Sequence, residues 1–139
     1  MTEVRFIVWG DPVGKQRPRV VNGHAYTPDK TVAYEHRVLE AFRRAYPDYI
    51  RFEKDVPLRV RIRAFYAIPQ SASKKAKAAM QAGLRKPLKK PDADNIEKII
   101  CDALNKFAYH DDAQIVDVRT TKDFSDEPRV EIEITELKI

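Results

Sequence analysis

The sequence has little cysteine and no long apolar run, and both absences exclude classes of protein. One cysteine, Cys101, in 139 residues rules out an internal disulfide framework and a zinc site built from several cysteines, and it fits a reducing compartment. Its three histidines, His24, His36 and His110, lack paired ligand spacing, which argues against a histidine metal site. No segment approaches the roughly 18 apolar residues of a membrane span, and the charged first residues lack a signal-peptide core. We expect a cytoplasmic protein with no membrane partner.

Acidic residues are missing from about a quarter of the chain. Residues 56–91 contain 10 lysines and arginines and no aspartate or glutamate, whereas residues 92–139 contain 13 acids and 6 bases. Such a charge run is often only a solvated face. The alternative is a polyanionic partner, because lysine and arginine contacts to phosphates supply most of the nonspecific affinity for nucleic acids. Charge alone leaves both interpretations open.

The length and the hydrophobic patterning predict one α+β domain spanning residues 1–139. Strands are expected at residues 4–9, 57–68, 114–122 and 129–135, and helices at residues 29–46, 71–84 and 92–107. The order is therefore β-α-β-α-α-β-β, a small mixed or antiparallel sheet flanked by helices. The turn at residues 125–128 suggests that the last two strands form a hairpin. Asn22-Gly23 signals a further small hairpin inside the loop at residues 14–27.

Several packing details follow from the same patterns. Thr27 or Asp29 is expected to cap the first helix, which would bury a face made of Val32, Leu39, Phe42 and Tyr46. Trp9, at the end of the first strand, is expected in the core. The strongest helical pattern, at residues 92–107, gathers on one apolar face Ile96, Ile99, Ile100, Ala103, Leu104 and Phe107.

Acidic residues stand at both ends of that last helix. Asp92 and Asp94 precede or open it, and Asp111 and Asp112 follow it at the head of a strand. Helix capping is a sufficient reason for an aspartate at a helix N-terminus. Capping does not account for the Asp111-Asp112 pair, because acids are depleted in strands.

Charged residues also lie along one side of the helix. Asp94, Lys98 and Asp102 share its polar side, which an ion-pair ladder would explain. The alternative is a pocket in which Asp94, Lys98 and the incoming Asp112 meet, offering hard oxygen ligands to Mg²⁺ or Mn²⁺.

The acid-free basic stretch immediately upstream favours phosphodiester chemistry at such a pocket. A metal held by carboxylates polarises a scissile phosphate and generates hydroxide, while nearby lysines and arginines hold the polyanion. Lys98 is suited to stabilising the charge that develops at phosphorus or to orienting the attacking water. Candidate DNA contacts are Lys15, Arg17 and Arg19 in a glycine-flanked loop, and Lys89 and Lys90 in a basic connector. The alternative interpretation of the loop is a mobile, solvated turn that makes no contact with DNA.

Two long motifs resemble the RusA-type Holliday junction resolvases. KKPDADNIEKIICDALN followed by YHDDAQIVDV is similar to the family signature Pro-Asp-x-Asp-Asn-(three)-Lys, then Asp-Ala-Leu, then Asp-Asp-x-Gln. The opening GDPVGKQRPR also resembles that of phage and Gram-positive members. The resemblance covers nearly the whole chain, although residues 71–90 look longer and richer in lysine than the corresponding loop of compact members.

The resemblance implies a Mg²⁺-dependent homodimeric endonuclease that nicks two opposing strands of a four-way DNA junction. It implies that Asp92, Asp94 and Asp112 hold the metal, with Lys98 as the catalytic lysine. Asp111 is similar to an accessory acid and Asp102 to a supporting helix acid. Two other interpretations stay open: a branched-DNA-binding module without turnover, and a nuclease for flaps or replication forks. A dimer also follows from geometry, because paired nicks need two metal clusters and this chain offers one.

Overall fold

A computed structural model describes residues 3–26 and 28–137. It has six strands and three helices in the described residues, which confirms the predicted α+β class and the small hairpin at Asn22-Gly23. The strands are β1 (Glu3–Trp9), β2 (Arg19–Val21), β3 (His24–Tyr26), β4 (Leu58–Ala67), β5 (Ile115–Ser125) and β6 (Arg129–Glu136). The helices are α1 (Asp29–Ala45), α2 (Lys74–Gln81) and α3 (Ala93–Leu104), and a 3-10 turn covers Asp112–Gln114.

The main sheet is mixed, and its strand order is β1-β6-β4-β5. β6 is antiparallel to β1 and to β4, whereas β5 runs parallel to β4. The predicted hairpin between the last two strands is therefore wrong, because β4 lies between them. A turn signal shows where the chain reverses but not which strands pair. β4 is an inner strand of the sheet, between β6 and β5. Its inward side chains Leu58, Val60, Ile62 and Ala64 are all buried.

One cluster of buried side chains forms the core between the sheet and the helices α1 and α3. α3 contributes five buried residues: Ile96, Ile99, Ile100, Ala103 and Leu104. Phe107, predicted on the same face, lies beyond the end of the helix and is 44% exposed. Each buried isoleucine contributes about 1.5–3 kcal/mol relative to exposure in water, so packing of α3 is a main source of stability.

The other packing predictions are corrected in part. Trp9 is 56% exposed, because Val4, Phe6 and Val8 occupy the inward positions of β1 and alternation turns Trp9 to the opposite face. In α1, Phe42 is buried and Leu39 and Tyr46 pack against the core. The prediction that Val32 is buried on that face is wrong, because Val32 is exposed. The buried positions of α1 include Thr31, Tyr34 and Val38.

The predicted caps of α1 and α3 also differ from the structure. Asp29 lies in the first turn of α1, and the N-cap position belongs to Pro28, without a side-chain cap. Thr27, the other predicted cap, lies outside the described residues. Asp92 does occupy the N-cap position of α3, yet its side chain makes no capping hydrogen bond. In the described part of the chain, no helix has the length and apolarity needed to cross a bilayer.

The burial of α3 generates a stability prediction. Ile99→Ala should lower the free energy of unfolding by about 2–5 kcal/mol, because the truncation leaves a cavity beneath the sheet. The matched control is Ile50→Ala, since Ile50 is 79% exposed, and it should change the free energy by no more than about 0.5 kcal/mol. Urea unfolding followed by circular dichroism measures both. Equal effects of the two substitutions would contradict this packing of α3.

Candidate metal and nucleic-acid site

A cleft of about 720 Å³ lies along the polar side of α3. The helix turns its apolar stripe to the core, so the residues on the opposite side line this cleft. The cleft brings together acids from α3 and the following 3-10 turn, bases from α3 and from the loop before β2, and a few other side chains. The acids are Asp94, Glu97, Asp102 and Asp112, and the bases are Lys15, Arg17 and Lys98.

Six of the predicted site residues therefore meet in this cleft, and five do not line it. Those in the cleft are Lys15, Arg17, Asp94, Lys98, Asp102 and Asp112. Outside it are Arg19, Lys89, Lys90, Asp92 and Asp111. Asp92 lies at the helix N-terminus, where its carboxylate pairs with Lys90 Nζ at 2.9 Å. Both partners are substantially exposed, so this pair constrains the carboxylate only weakly.

Asp111 has a structural role that the sequence argument missed. Its Oδ1 accepts a hydrogen bond from the Ala113 backbone N–H at 2.9 Å, and its backbone N–H donates to Gln114 Oε1 at 3.1 Å. This is a capping box, and its Asp-x-x-Gln spacing was visible in the sequence. The Gln114 side-chain amide also donates to the Glu53 and Val56 carbonyls.

The turn capped by Asp111 presents Asp112 to the cleft. The Asp112 backbone N–H donates to Asn105 Oδ1 at 3.1 Å, which ties the turn to the end of α3. Asn105 therefore holds Asp112 through its backbone N–H, and Gln114 fixes the preceding residue, Asp111. Asp112 itself lines the cleft.

Electrostatics distinguish the acids of this region. A hydrogen bond shared with the Asp111 carboxyl raises the pKa of Asp112, and partial burial and the charges of Asp111 and Asp102 act in the same direction. The Ala113 backbone N–H, by contrast, lowers the pKa of Asp111. Asp102 pairs with Lys15 Nζ at 3.1 Å. Within the described residues, neither Asp94 nor Asp112 has a lysine or arginine within 4 Å.

These carboxylates fit a hard divalent cation by their chemistry. Three carboxylates of this cleft, those of Asp94, Glu97 and Asp112, have no lysine or arginine within 4 Å among the described residues. Crowding of acids already raises the pKa of Asp112, so a bound cation would relieve the repulsion. Among residues 3–26 and 28–137, however, no three His, Cys, Asp or Glu side chains are arranged as a preformed metal site. Asp92 lies outside the cleft, at the N-terminus of α3, where its exposed carboxylate pairs with Lys90.

The loop before β2 is fixed to α3 by backbone and side-chain contacts. The Lys15 backbone N–H donates to the Asn95 carbonyl at 2.9 Å. Gly14 approaches so closely that an added Cβ would lie 2.7 Å from Pro91 Cβ and 3.1 Å from Asn95 Cβ. The Lys15 ammonium lies between Asp102 and Glu35 of α1, at 3.1 and 3.3 Å. Lys15 thus ties the loop to two helices.

Lys15 consequently differs from its neighbours in the predicted DNA-binding loop. Its side chain is only 19% exposed and its charge is compensated by two carboxylates. Arg17 lines the cleft, Arg19 is exposed, and neither forms an ion pair within the described part of the chain. No sequence signal identified Glu35 as a partner, because it lies 20 residues from Lys15.

The lysine-rich segment lies beside the far end of β5. Ser73 Oγ caps α2 by accepting from the Ala76 backbone N–H at 3.1 Å. Lys122 Nζ donates to the Lys89 carbonyl at 2.8 Å, and Lys86 pairs with Asp123. The side chains of Lys89 and Lys90 are exposed, so they are available to a partner next to Asp92.

A second and larger cleft, of about 1020 Å³, lies along β1 and the outward face of the sheet. It is lined by arginines and glutamates, and each of its three glutamates has an arginine within 4 Å: Glu40 with Arg44, Glu131 with Arg129, and Glu133 with Arg5. Its acids are therefore compensated. The smaller cleft, with uncompensated carboxylates beside an ammonium, is the one that suits metal-assisted chemistry.

The chain is similar to one protein family and to two known relatives. The sequence model of the family described as "Endodeoxyribonuclease RusA" matches residues 10–135. The protein of Bacillus subtilis (strain 168) described as "Uncharacterized protein YqaN" is 36% identical over 140 aligned residues, 96% of each chain. "Crossover junction endodeoxyribonuclease rusA" of Lactococcus phage r1t is 37% identical over 87 residues, 62% of this chain and 60% of its own. The family match spans both acidic motifs and the loop that docks on α3, and the chain belongs to the RusA endodeoxyribonuclease family.

Proposed function

We propose that this protein is a Mg²⁺-dependent endodeoxyribonuclease that resolves Holliday junctions by paired, symmetric nicks. The observation that carries the proposal is the meeting of Asp94 and Asp112 with Lys98 in one cleft. These residues come from two separate motifs, and the proposed metal chemistry needs them together. The name of the phage relative, a crossover junction endodeoxyribonuclease, supports the four-way junction as substrate. The setting would be DNA recombination and repair in the cytoplasm.

In this proposal Asp92, Asp94 and Asp112 would hold Mg²⁺, and Mn²⁺ would serve as a substitute. The bound ion would polarise the scissile phosphate and lower the pKa of a water molecule. Lys98 would neutralise negative charge developing on the phosphate oxygens, because it lines the same cleft as Asp94 and Asp112. Asp111 would support the site indirectly by capping the turn that carries Asp112, and Asp102 by anchoring Lys15.

The DNA would reach this cleft over basic side chains. Arg17 lines the cleft. Arg19, Lys89 and Lys90 are exposed, and each lies within a few positions in the sequence of a residue that lines the cleft. They would offset the repulsion between the phosphates and the carboxylate cluster. A binding module without turnover gains nothing from uncompensated acids beside its ligand, and this favours the enzyme.

A cleavage assay tests the proposal directly. The wild-type protein should nick a synthetic four-way junction at symmetry-related positions with Mg²⁺ and leave it intact in EDTA. Asp94→Asn should lower the nicking rate by at least about 100-fold, since loss of a metal ligand removes several kcal/mol of transition-state stabilisation. Its junction affinity should stay equal or increase, because one charge that repels phosphate is gone.

Asp48→Asn is the matched control, since Asp48 is exposed in the loop after α1, and it should nick at the wild-type rate. A gel shift without nicking under any divalent ion would leave only a binding module. Faster cleavage of flaps or forks than of the four-way junction would make the protein a nuclease for those structures. Equal losses of binding and cleavage in Asp94→Asn would make Asp94 a structural residue.

The two basic residues of the docked loop should respond differently to substitution. Arg17→Ala should reduce the slope of log affinity against log salt by about one, as expected when one phosphate contact is lost. Lys15→Ala should leave that slope unchanged and lower the free energy of unfolding by about 1–3 kcal/mol, because its charge is bonded to Glu35 and Asp102. Filter binding across a salt series and urea unfolding measure these effects. A slope change in Lys15→Ala would show that Lys15 contacts phosphate.

A homodimer is part of the proposal. Two nicks at symmetry-related phosphates require two clefts, and a two-fold axis through an isologous contact supplies them. Light scattering in moderate salt should give about 32 kDa, twice the 16.1 kDa of the chain. A mass that stays near that of one chain at rising concentration, and after addition of junction DNA, would contradict paired nicking.

A further inference from the structure

The hairpin formed by β2 and β3 projects from the protein without packing against it. The two strands pair only with each other, and all six of their residues are exposed. Asn22 and Gly23 form the turn with φ of 52° and 79°, the positive values that a tight two-residue turn requires. An isolated two-stranded hairpin is marginally stable in water. A partner that covers these strands would therefore stabilise them.

The register gives the hairpin two different faces. Arg19 lies opposite Tyr26 and Val21 opposite His24, so these four side chains share one face. Val20 and Ala25 are paired on the other face. The first face combines hydrogen-bond donors with an aromatic ring and an aliphatic side chain, and Tyr26 and Val21 are 44% and 52% exposed. Such a mixture suits base edges and thymine methyl groups better than a purely apolar partner.

The charge and the position of the hairpin point to DNA as the partner. Between Asp11 and Asp29 the sequence has no acidic residue and three basic ones, Lys15, Arg17 and Arg19. The hairpin begins directly after Pro18, which lines the carboxylate cleft. Its base is held in place, because the Gln16 backbone N–H donates to Thr31 Oγ1 at 3.3 Å and Lys15 binds both helices. DNA entering the cleft would pass beside the hairpin.

We propose that this hairpin enters the major groove of a duplex arm of the junction, next to the cleaved strand. The inference rests on the proposed function and adds a surface that recognises the arm. Three residues per strand give the hairpin a length of about 10 Å, which matches a groove about 12 Å wide and 8.5 Å deep that admits a two-stranded ribbon. In this proposal Arg19 and Tyr26 make the main contacts with the groove. Val21 and His24, on the same face, lie nearer the turn of the hairpin.

Binding to the four-way junction in EDTA, where no strand is cut, tests this contact. The double substitution Arg19→Ala, Tyr26→Ala should weaken binding by roughly tenfold or more, the loss expected for one or two groove contacts. Gly23→Val should weaken it similarly, because valine resists the positive φ of the turn, although an added Cβ meets no atom within 4 Å. The matched controls are Arg44→Ala and Ile50→Ala, both exposed elsewhere, and they should bind as the wild type does.

Two further measurements separate the possible failures. Dimethyl sulfate footprinting should show guanine N7 atoms, which lie in the major groove, protected in one arm by the wild-type protein and accessible with Gly23→Val. Wild-type affinity for both hairpin variants, or protection that persists without the hairpin, would overturn the inference. Hairpin variants that bind DNA as the wild type does, but have the mass of a single chain, would also overturn the inference. That result would make the hairpin a contact between subunits. If the wild-type protein fails to nick the junction with Mg²⁺, the proposed function itself fails.

Discussion

The packing of α3 against the sheet is the constraint on which the rest of the candidate site depends. Burial of Ile96, Ile99 and Ile100 fixes the rotation of the helix about its own axis. The opposite side, with Asp94 and Lys98, then has to face the cleft, because residues on one helix cannot change faces independently. The hydrophobic core therefore aims the chemical groups, although it contributes no atom to them. The end of the same helix also carries Asn105, which holds the turn that presents Asp112.

Compensation of charge divides the acids around this helix into two groups. Asp102 is neutralised by Lys15, and Asp111 is bonded to a backbone N–H and to Lys106. Asp94, Glu97 and Asp112 line the cleft without such a base among the residues that the structure describes, and the pKa of Asp112 is raised. A protein that only needed solubility would gain nothing from placing unpaired carboxylates together, since their repulsion opposes folding.

The elements themselves were largely predictable, because each depends on local pattern. Alternation located β1 and β4, and 3.6-residue periodicity located α3 to within three residues of its end. Errors arose where a residue's environment depends on distant partners. The prediction that Trp9 lies in the core is wrong, because alternation with Val8 places it on the outer face. The β5–β6 hairpin was inferred from a turn, but insertion of β4 between the two strands is decided by burial over the whole sheet.

By itself the sequence determined the order of the elements, the segregation of charge, and the motif residues Asp92, Asp94, Lys98 and Asp112. These follow from residue type and spacing, which the linear chain contains. Only the tertiary structure decided which charged residues remain free to act. Lys15 and Arg17 look equivalent in the loop, yet Lys15 is bound by Glu35 and Asp102 while Arg17 lines the cleft. The physical reason is that the effect of a charge depends on the charges and dipoles within a few ångströms of it, and folding brings these from distant parts of the chain.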